Sequence, residues 1–151
     1  MNVKRILCPS DFSDCSRGAL EFAIELAQRL GASIRIVHVF QLPQYAGFED
    51  GLAMAAASAE IFTTLRKKAE EQLRAELELC RTAGVTATAE QVDGVPHAEI
   101  VRLSEQADLV VMGTHGRTGL PRLVLGSAAE RVVRLAKCPV LTVPSPEHRK
   151  R

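Results

Sequence analysis

Apolar and polar positions along the chain follow two alternating periods. "VKRILCP" (residues 3–9) is apolar and β-branched, and it stops at Pro9 before Ser10, Asp11, Phe12 and Ser13, most of them turn and cap types, so it predicts a first strand and its turn. From Ser13 onward Ala19, Phe22, Ala23, Leu26, Ala27 and Leu30 recur with the 3.6 period, and Gly31 supplies the stop, which predicts a helix of about four turns. "SIRIVHVF" (Ser33 to Phe40) alternates and then turns almost wholly apolar, as a strand covered on both faces does. Phe62, Leu65, Ala69, Leu73, Leu77 and Cys80 mark a second helix that ends at Gly84 and carries Arg66, Lys67, Glu70, Glu71, Glu78 and Arg81 on its solvated side. "VTATAEQV" (Val85 to Val92) predicts a strand, "PHAEIVRLSEQA" a helix opened by Pro96 at its first position, and "DLVVMG" a short buried strand. "SAAERVVRLA" then reads as a helix and "PVLTVP" as the final strand.

Strands that alternate with helices in this order imply a parallel sheet covered on both faces by right-handed crossovers. Residues 1–145 form one domain in this reading, and 146–151 a frayed basic tail. "QLPQYAGFEDGLAMAAASAE", between the second strand and the second helix, is long for such a connection; its alanine-rich end is compatible with helix, and the stretch is a candidate mobile flap.

Composition narrows the function classes. The 151 residues are 46% hydrophobic and 25% charged, ordinary values for a globular domain, and 19 Lys and Arg against 18 Asp and Glu give a net charge of +1. That balance offers no field for steering onto nucleic acid or an anionic membrane, so neither is an expected partner. Cys8, Cys15, Cys80 and Cys138 form no C-x-x-C pair and read as reduced thiols. The opening "MNVKRILCPSDF" has too short an apolar run for a signal peptide, and nothing approaches the roughly 18 apolar residues of a membrane span; the expected compartment is the cytoplasm.

Candidate chemistry gathers in "GTHGRTGLPRLVLGS" (residues 113–127). In an open parallel sheet, ligands bind beyond the carboxyl ends of the strands where strand order reverses; a reversal between the first and fourth strands would bring Asp11 and Gly113 together. Gly113 ends a strand where a side chain would block close approach, Gly116 permits a tight turn, and Gly126, Ser127 and Ala128 open a helix whose unpaired N–H groups suit a phosphate. Thr114, His115, Arg117 and Thr118 add donors between these anchors. Each feature also has a plain structural reading: glycines as turn residues, Ser127 as an N-cap, Arg117 solvated, Asp11 as a residue of the helix-capping turn. The loop lacks the P-loop lysine, and no G-x-G-x-x-G follows the first strand. His38 reads as a packed core histidine, His97 as solvated or capping, and His115 has no recognisable partner for acid–base work.

The spacing of Gly113, Gly116, Gly126 and Ser127 resembles the G-2x-G-9x-G-[ST] signature of the ATP-binding branch of the universal stress protein family, and "ILCPSDFS", "IVHVF" and "CPVLTVP" resemble its first, second and last strands. The resemblance implies a Rossmann-like, adenine nucleotide alpha hydrolase-like fold: an open five-stranded parallel sheet in order 3-2-1-4-5 with helices on both faces. It implies that Asp11 holds the ribose or a neighbouring group, that Pro9 and Val39 border the adenine with Met112 on the rim, and that Gly113, Gly116 and the loop through Gly119, with Gly126, Ser127 and Ala128, cradle ribose and phosphates. The ligand so implied is ATP, with Mg²⁺ or Mn²⁺ on its phosphates, the assembly a homodimer paired through Val140, Leu141, Thr142 and Val143, and the role that of a stress-response regulator switched by nucleotide occupancy. Ala128 departs from the family in being small where a β-branched residue is common. The alternatives are a slow ATPase or phosphotransferase using Arg117, His115 and a metal near Asp11, and an interaction module whose nucleotide site is vestigial.

Overall fold

The computed structural model describes residues 2–41, 51–114 and 125–144, with backbone alone for 51–58. The elements run β1 (Arg5–Pro9), α1 (Asp14–Leu30), β2 (Ser33–Phe40), α2 (Gly51–Thr82), β3 (Ala87–Asp93), α3 (Pro96–Ser104), β4 (Leu109–Gly113), α4 (Ser127–Leu135) and β5 (Val140–Val143). All strand pairs are parallel and the sheet order is β3-β2-β1-β4-β5, which is the expected architecture.

Alternate residues of the central strands enter two separate cores. Ile6 and Cys8 of β1, Ile34 and Ile36 of β2 and Val111 of β4 face α1 and α2, whereas Leu7, Val37, Val110 and Met112 face α3 and α4. Because both faces are covered, the strands carry the near-continuous apolar runs seen in the sequence.

The structure adjusts one sequence-derived core stripe and two boundaries. Helix α1 buries Ala19, Leu20, Ala23, Ile24 and Ala27 while Leu30 stays exposed, so its core stripe is turned by about one residue from the expected one. The helix packs on β4 and β5 as well as on β1, and this broad seat buries Leu20 and Ile24 too. Helix α2 begins at Gly51 and runs for 32 residues, so the second half of the candidate flap is helix; residues 42–50 lie outside the described part. Strand β3 starts at Ala87 rather than Val85, whose buried side chain closes the turn from α2.

The amino ends of the strands are tied down. Asp108 Oδ2 accepts from the backbone N–H groups of Lys4 (3.0 Å) and Arg5 (2.8 Å), and its Oδ1 accepts from Arg5 Nη2 (2.8 Å). These bonds stabilise the carboxylate and hold its pKa down at about 2, with the Arg5 side chain the largest cause.

Candidate functional site

The pairing of β1 with its two neighbours is unequal, and this opens the site. β1 pairs with β2 over five residues, from Arg5↔Ser33 to Pro9↔Val37, but with β4 over only Ile6↔Leu109 and Leu7↔Val110. Beyond Leu7 the two strands diverge, while β4 continues to Gly113 alongside β5. The split lies where strand order reverses, and above it is a cavity of ≈ 560 Å³. That size lies within the range of small-molecule sites.

Pro9, Val39 and Met112 line this cavity on the side covered by α3 and α4, and Asp11 stands at its edge. Asp11 Oδ1 accepts from Ser13 N (3.1 Å) and Ser13 Oγ (2.5 Å), while no bond occupies Oδ2 among the described residues. Ser13 is the N-cap of α1 and accepts from Ser16 N at 3.2 Å, so Asp11 orients the cap and keeps one oxygen for the cleft. The structural and ligand-binding readings of Asp11 are therefore compatible.

The two ends of the glycine loop meet. Gly126 N–H donates to Thr114 O at 2.9 Å, and Thr114 N–H donates to Val143 O at 3.1 Å. Gly113, Gly126, Ser127 and Ala128 thus line the same cavity. The N-cap of α4 is Gly126 rather than Ser127, and it makes no side-chain capping bond, which corrects the plain reading of Ser127 as the cap. Helix α3 likewise has no side-chain cap at Val95, and its Pro96 borders the cavity. The amino end of α4, where no side chain caps the first N–H groups, offers the cleft donors suited to an anion.

Gly113 has a packing reason to be glycine, independent of any ligand. A Cβ there would lie 2.7 Å from Cys15 Sγ and 3.0 Å from the Cys15 carbonyl carbon, so a side chain would strike the first turn of α1. Thr114 is not among the cleft-lining residues; its Oγ1 lies 3.9 Å from Cys15 Sγ on that same side. His115, Gly116, Arg117, Thr118 and Gly119 lie outside the described residues.

The side of the site towards α2 holds groups that the sequence pattern did not assign to it. His38, expected in the core, is only half-buried and lines the cavity; its ring lies 4.4 Å from that of Phe12, and its Nδ1 is 2.9 Å from Ser10 O. Phe12 has φ of +64°, a left-handed conformation that is strained for a bulky side chain. Ser10 Oγ accepts from Phe12 N–H at 3.2 Å and donates to Glu76 Oε1 at 2.6 Å. Glu76 is only 8% exposed, and its Oε2 has no hydrogen-bond partner among the described residues. Burial pushes the Glu76 carboxyl above its ordinary pKa; the Ser10 bond opposes this, Asp11 adds to it and Arg17 opposes it more weakly. A signal for Glu76 existed, since it sits three residues after Leu73 and four before Cys80, on the apolar stripe of α2.

Among the described residues no group of three or more His, Cys, Asp and Glu is placed to hold a metal ion. The four cysteines are free thiols, three of them buried. No described helix is long and apolar enough to cross a membrane.

Comparison with known proteins gives a consistent family. The sequence model of the universal stress protein family matches residues 2–144. Universal stress protein MJ0531 of Methanocaldococcus jannaschii is 39% identical over 147 residues, covering 95% of this chain and 84% of its own length. The structure of UspA from Lactobacillus plantarum superposes with a TM-score of 0.83 at 25% identity, covering 95% of this chain and 99% of that one. A universal stress protein in complex with cAMP (TM-score 0.66, 24% identity) shares the fold over 96% of this chain and 99% of its own. So does the Archaeoglobus fulgidus protein in complex with dAMP, with a TM-score of 0.66 at 23% identity over 94% of this chain and 98% of its own. The chain belongs to the universal stress protein family.

Proposed function

We propose that this universal stress protein binds an adenine nucleotide in the crevice between β1 and β4, and that occupancy of the site, rather than fast chemistry, is its output. The observation that carries this reading is convergence. An apolar rim of Pro9, Val39 and Met112, a carboxylate with one oxygen uncommitted at Asp11, and the uncapped helix start at Gly126, Ser127 and Ala128 line one cavity. A base, a ribose and a phosphate need those three environments in that order. The fold relatives bound to cAMP and dAMP support adenine, a pentose and one phosphate as the shared chemistry.

ATP is the specific ligand favoured by the spacing of Gly113, Gly116, Gly126 and Ser127, with His115, Arg117 and Thr118 as further donors to its phosphates. Asp11 Oδ2 fits a role in holding Mg²⁺ or Mn²⁺ together with phosphate oxygens, because Mg²⁺ commonly takes only one or two carboxylates. Strand β5 is an edge of the sheet, and Val133 and Leu135 on the neighbouring α4 are exposed apolar residues, which supports pairing of Val140, Leu141, Thr142 and Val143 with a second copy. Nucleotide then acts as a switch by binding one conformation of the dimer or partner surface more tightly than another.

The direct test is to denature the purified protein, identify any nucleotide released, and titrate the emptied protein with ATP, ADP, AMP and cAMP by calorimetry. Binding is expected, and Asp11→Ala weakens it by about tenfold, as expected for loss of a charge-assisted hydrogen bond. Absence of heat with all four ligands at millimolar concentration overturns the reading. Sedimentation velocity tests the pairing of β5 separately.

A further inference from the structure

We propose that Glu76 is a positioning residue of the nucleotide cleft: from α2 its carboxylate grips the Ser10 hydroxyl, fixes the turn that presents Asp11 and Phe12, and makes ligand affinity depend on its own ionisation. The chain of contacts is continuous. Glu76 Oε1 accepts from Ser10 Oγ at 2.6 Å, Ser10 Oγ accepts from Phe12 N–H at 3.2 Å, and Ser10 O meets His38 Nδ1 at 2.9 Å. Ser10 N–H is held by Val37 O at 2.8 Å, so the residue is fixed from both β2 and α2. Phe12, next along the turn from Asp11, keeps its strained φ of +64° only because its surroundings impose it, and the Ser10 hydroxyl is one of those constraints.

A carboxylate is an unfavourable choice for a purely structural strut at this place. Glu76 is 8% exposed, and Oε2 has no partner among the described residues, so the charge is desolvated without full compensation there. The titratable and charged groups around it are Cys8 from β1, Cys80 from α2, Asp11 from the turn and Arg17 from α1, with His38 of β2 reached through Ser10. Burial keeps both thiols protonated, with Cys80 raised to about 11, and among the described residues Arg17 is the cation that opposes the burial of this carboxylate. Ionised, Glu76 gives Ser10 a charge-assisted acceptor; protonated, it offers only a neutral and weaker one. Glutamine reproduces the neutral acceptor at every pH, and leucine removes the acceptor.

The ligand arm of the inference rests on the nucleotide reading above; the turn arm does not. The full chain and its E76Q and E76L variants are titrated with ATP from about pH 5 to about pH 8, and exchange of the Phe12 amide is followed in the same proteins without nucleotide. E76L is expected to bind ATP about fivefold more weakly or worse throughout and to exchange Phe12 faster. Wild type and E76Q are expected to match at low pH, with wild type becoming several-fold tighter and Phe12 better protected as the pH rises. A wild-type to E76Q ratio that stays constant with pH in both measurements overturns the inference, and the folded E76Q protein supplies this test even where E76L does not fold. Failure of wild type to bind ATP removes the ATP reading alone, and the Phe12 ratio then decides: rising with pH supports the role of Glu76, and constant with pH ends it.

Discussion

At the amino ends of the strands, Asp108 uses both carboxylate oxygens on Lys4 and Arg5, and its pKa is held down at about 2. At the carboxyl ends, Glu76 uses one oxygen on Ser10, leaves the other without a partner among the described residues, and has its pKa pushed up by burial. The same contrast runs through the backbone. The closed end has paired strands and satisfied groups, whereas the open end has diverging strands, a phenylalanine at positive φ and two helix starts without side-chain caps. Strain and unmet polar capacity therefore collect on the side that faces the cavity, where a ligand can use them. The surrounding cores hold that side in shape.

The largest effect that would sharpen the contrast is expected at Gly113. Gly113→Ala places a Cβ against Cys15 Sγ and the Cys15 backbone, and overpacking of this kind costs about 1–3 kcal/mol in folding free energy. Urea unfolding measures it. Adding Cys15→Ala is expected to recover only part of the loss, because the contact with the Cys15 backbone remains. Full recovery would mean that the open end tolerates a side chain here and that its glycine answers to a ligand alone. Next in size is Ser13→Ala, which removes the acceptor for Ser16 N and the donor to Asp11, at about 1 kcal/mol by the usual worth of an N-cap. If Asp11 is oriented through this bond, nucleotide affinity falls with the same substitution.

How much of this was legible in the sequence follows from which forces act locally. Strand and helix order, the two-sided core and the stop at Gly31 were readable because periodicity and capping are local. Asp11, Gly113, Gly126 and Ser127 line one cavity and were marked by strand ends and a glycine-opened helix, whereas Pro9, Val39 and Met112 on the same cavity came from the family resemblance. The cavity-lining Phe12 and His38, and Glu76 behind Ser10, were not readable, since residues 38 and 76 reach the turn only through tertiary packing. A glutamate on an amphipathic helix reads as solvated until its place on the stripe between Leu73 and Cys80 is weighed. His38 misled for a related reason. It lies in an apolar strand, but near the carboxyl end, where the core gives way to the cleft.

Smaller effects separate the two carboxylates by pH. Asp108 has a folded pKa of about 2 against an ordinary 3.8, so its contribution to stability is fully present above 3.8 and is lost as pH falls through about 2. Asp108→Asn is expected to flatten that acid limb while leaving nucleotide affinity unchanged, because the residue lies at the opposite end of the sheet from the cavity. A change in affinity would show that the two ends are coupled. Equilibrium unfolding at a series of pH values measures the limb, and the same titrations used for ATP measure the affinity.

The smallest expected effect is a slope of the opposite sign. The folded-state pKa of Glu76 is raised above its ordinary 4.5, so between that value and the raised one the folded protein binds more protons than the unfolded chain. Its contribution is then most favourable below 4.5 and declines as pH rises through the folded-state pKa. The stability of wild type relative to E76Q should accordingly fall with rising pH, over the same interval in which its affinity relative to E76Q improves. A strut selected for stability would not lose folding free energy as it gains binding, so opposite slopes in the two measurements identify a group held at the open end for its charge. Parallel slopes would place Glu76 with Asp108, as a carboxylate whose ionisation serves the fold.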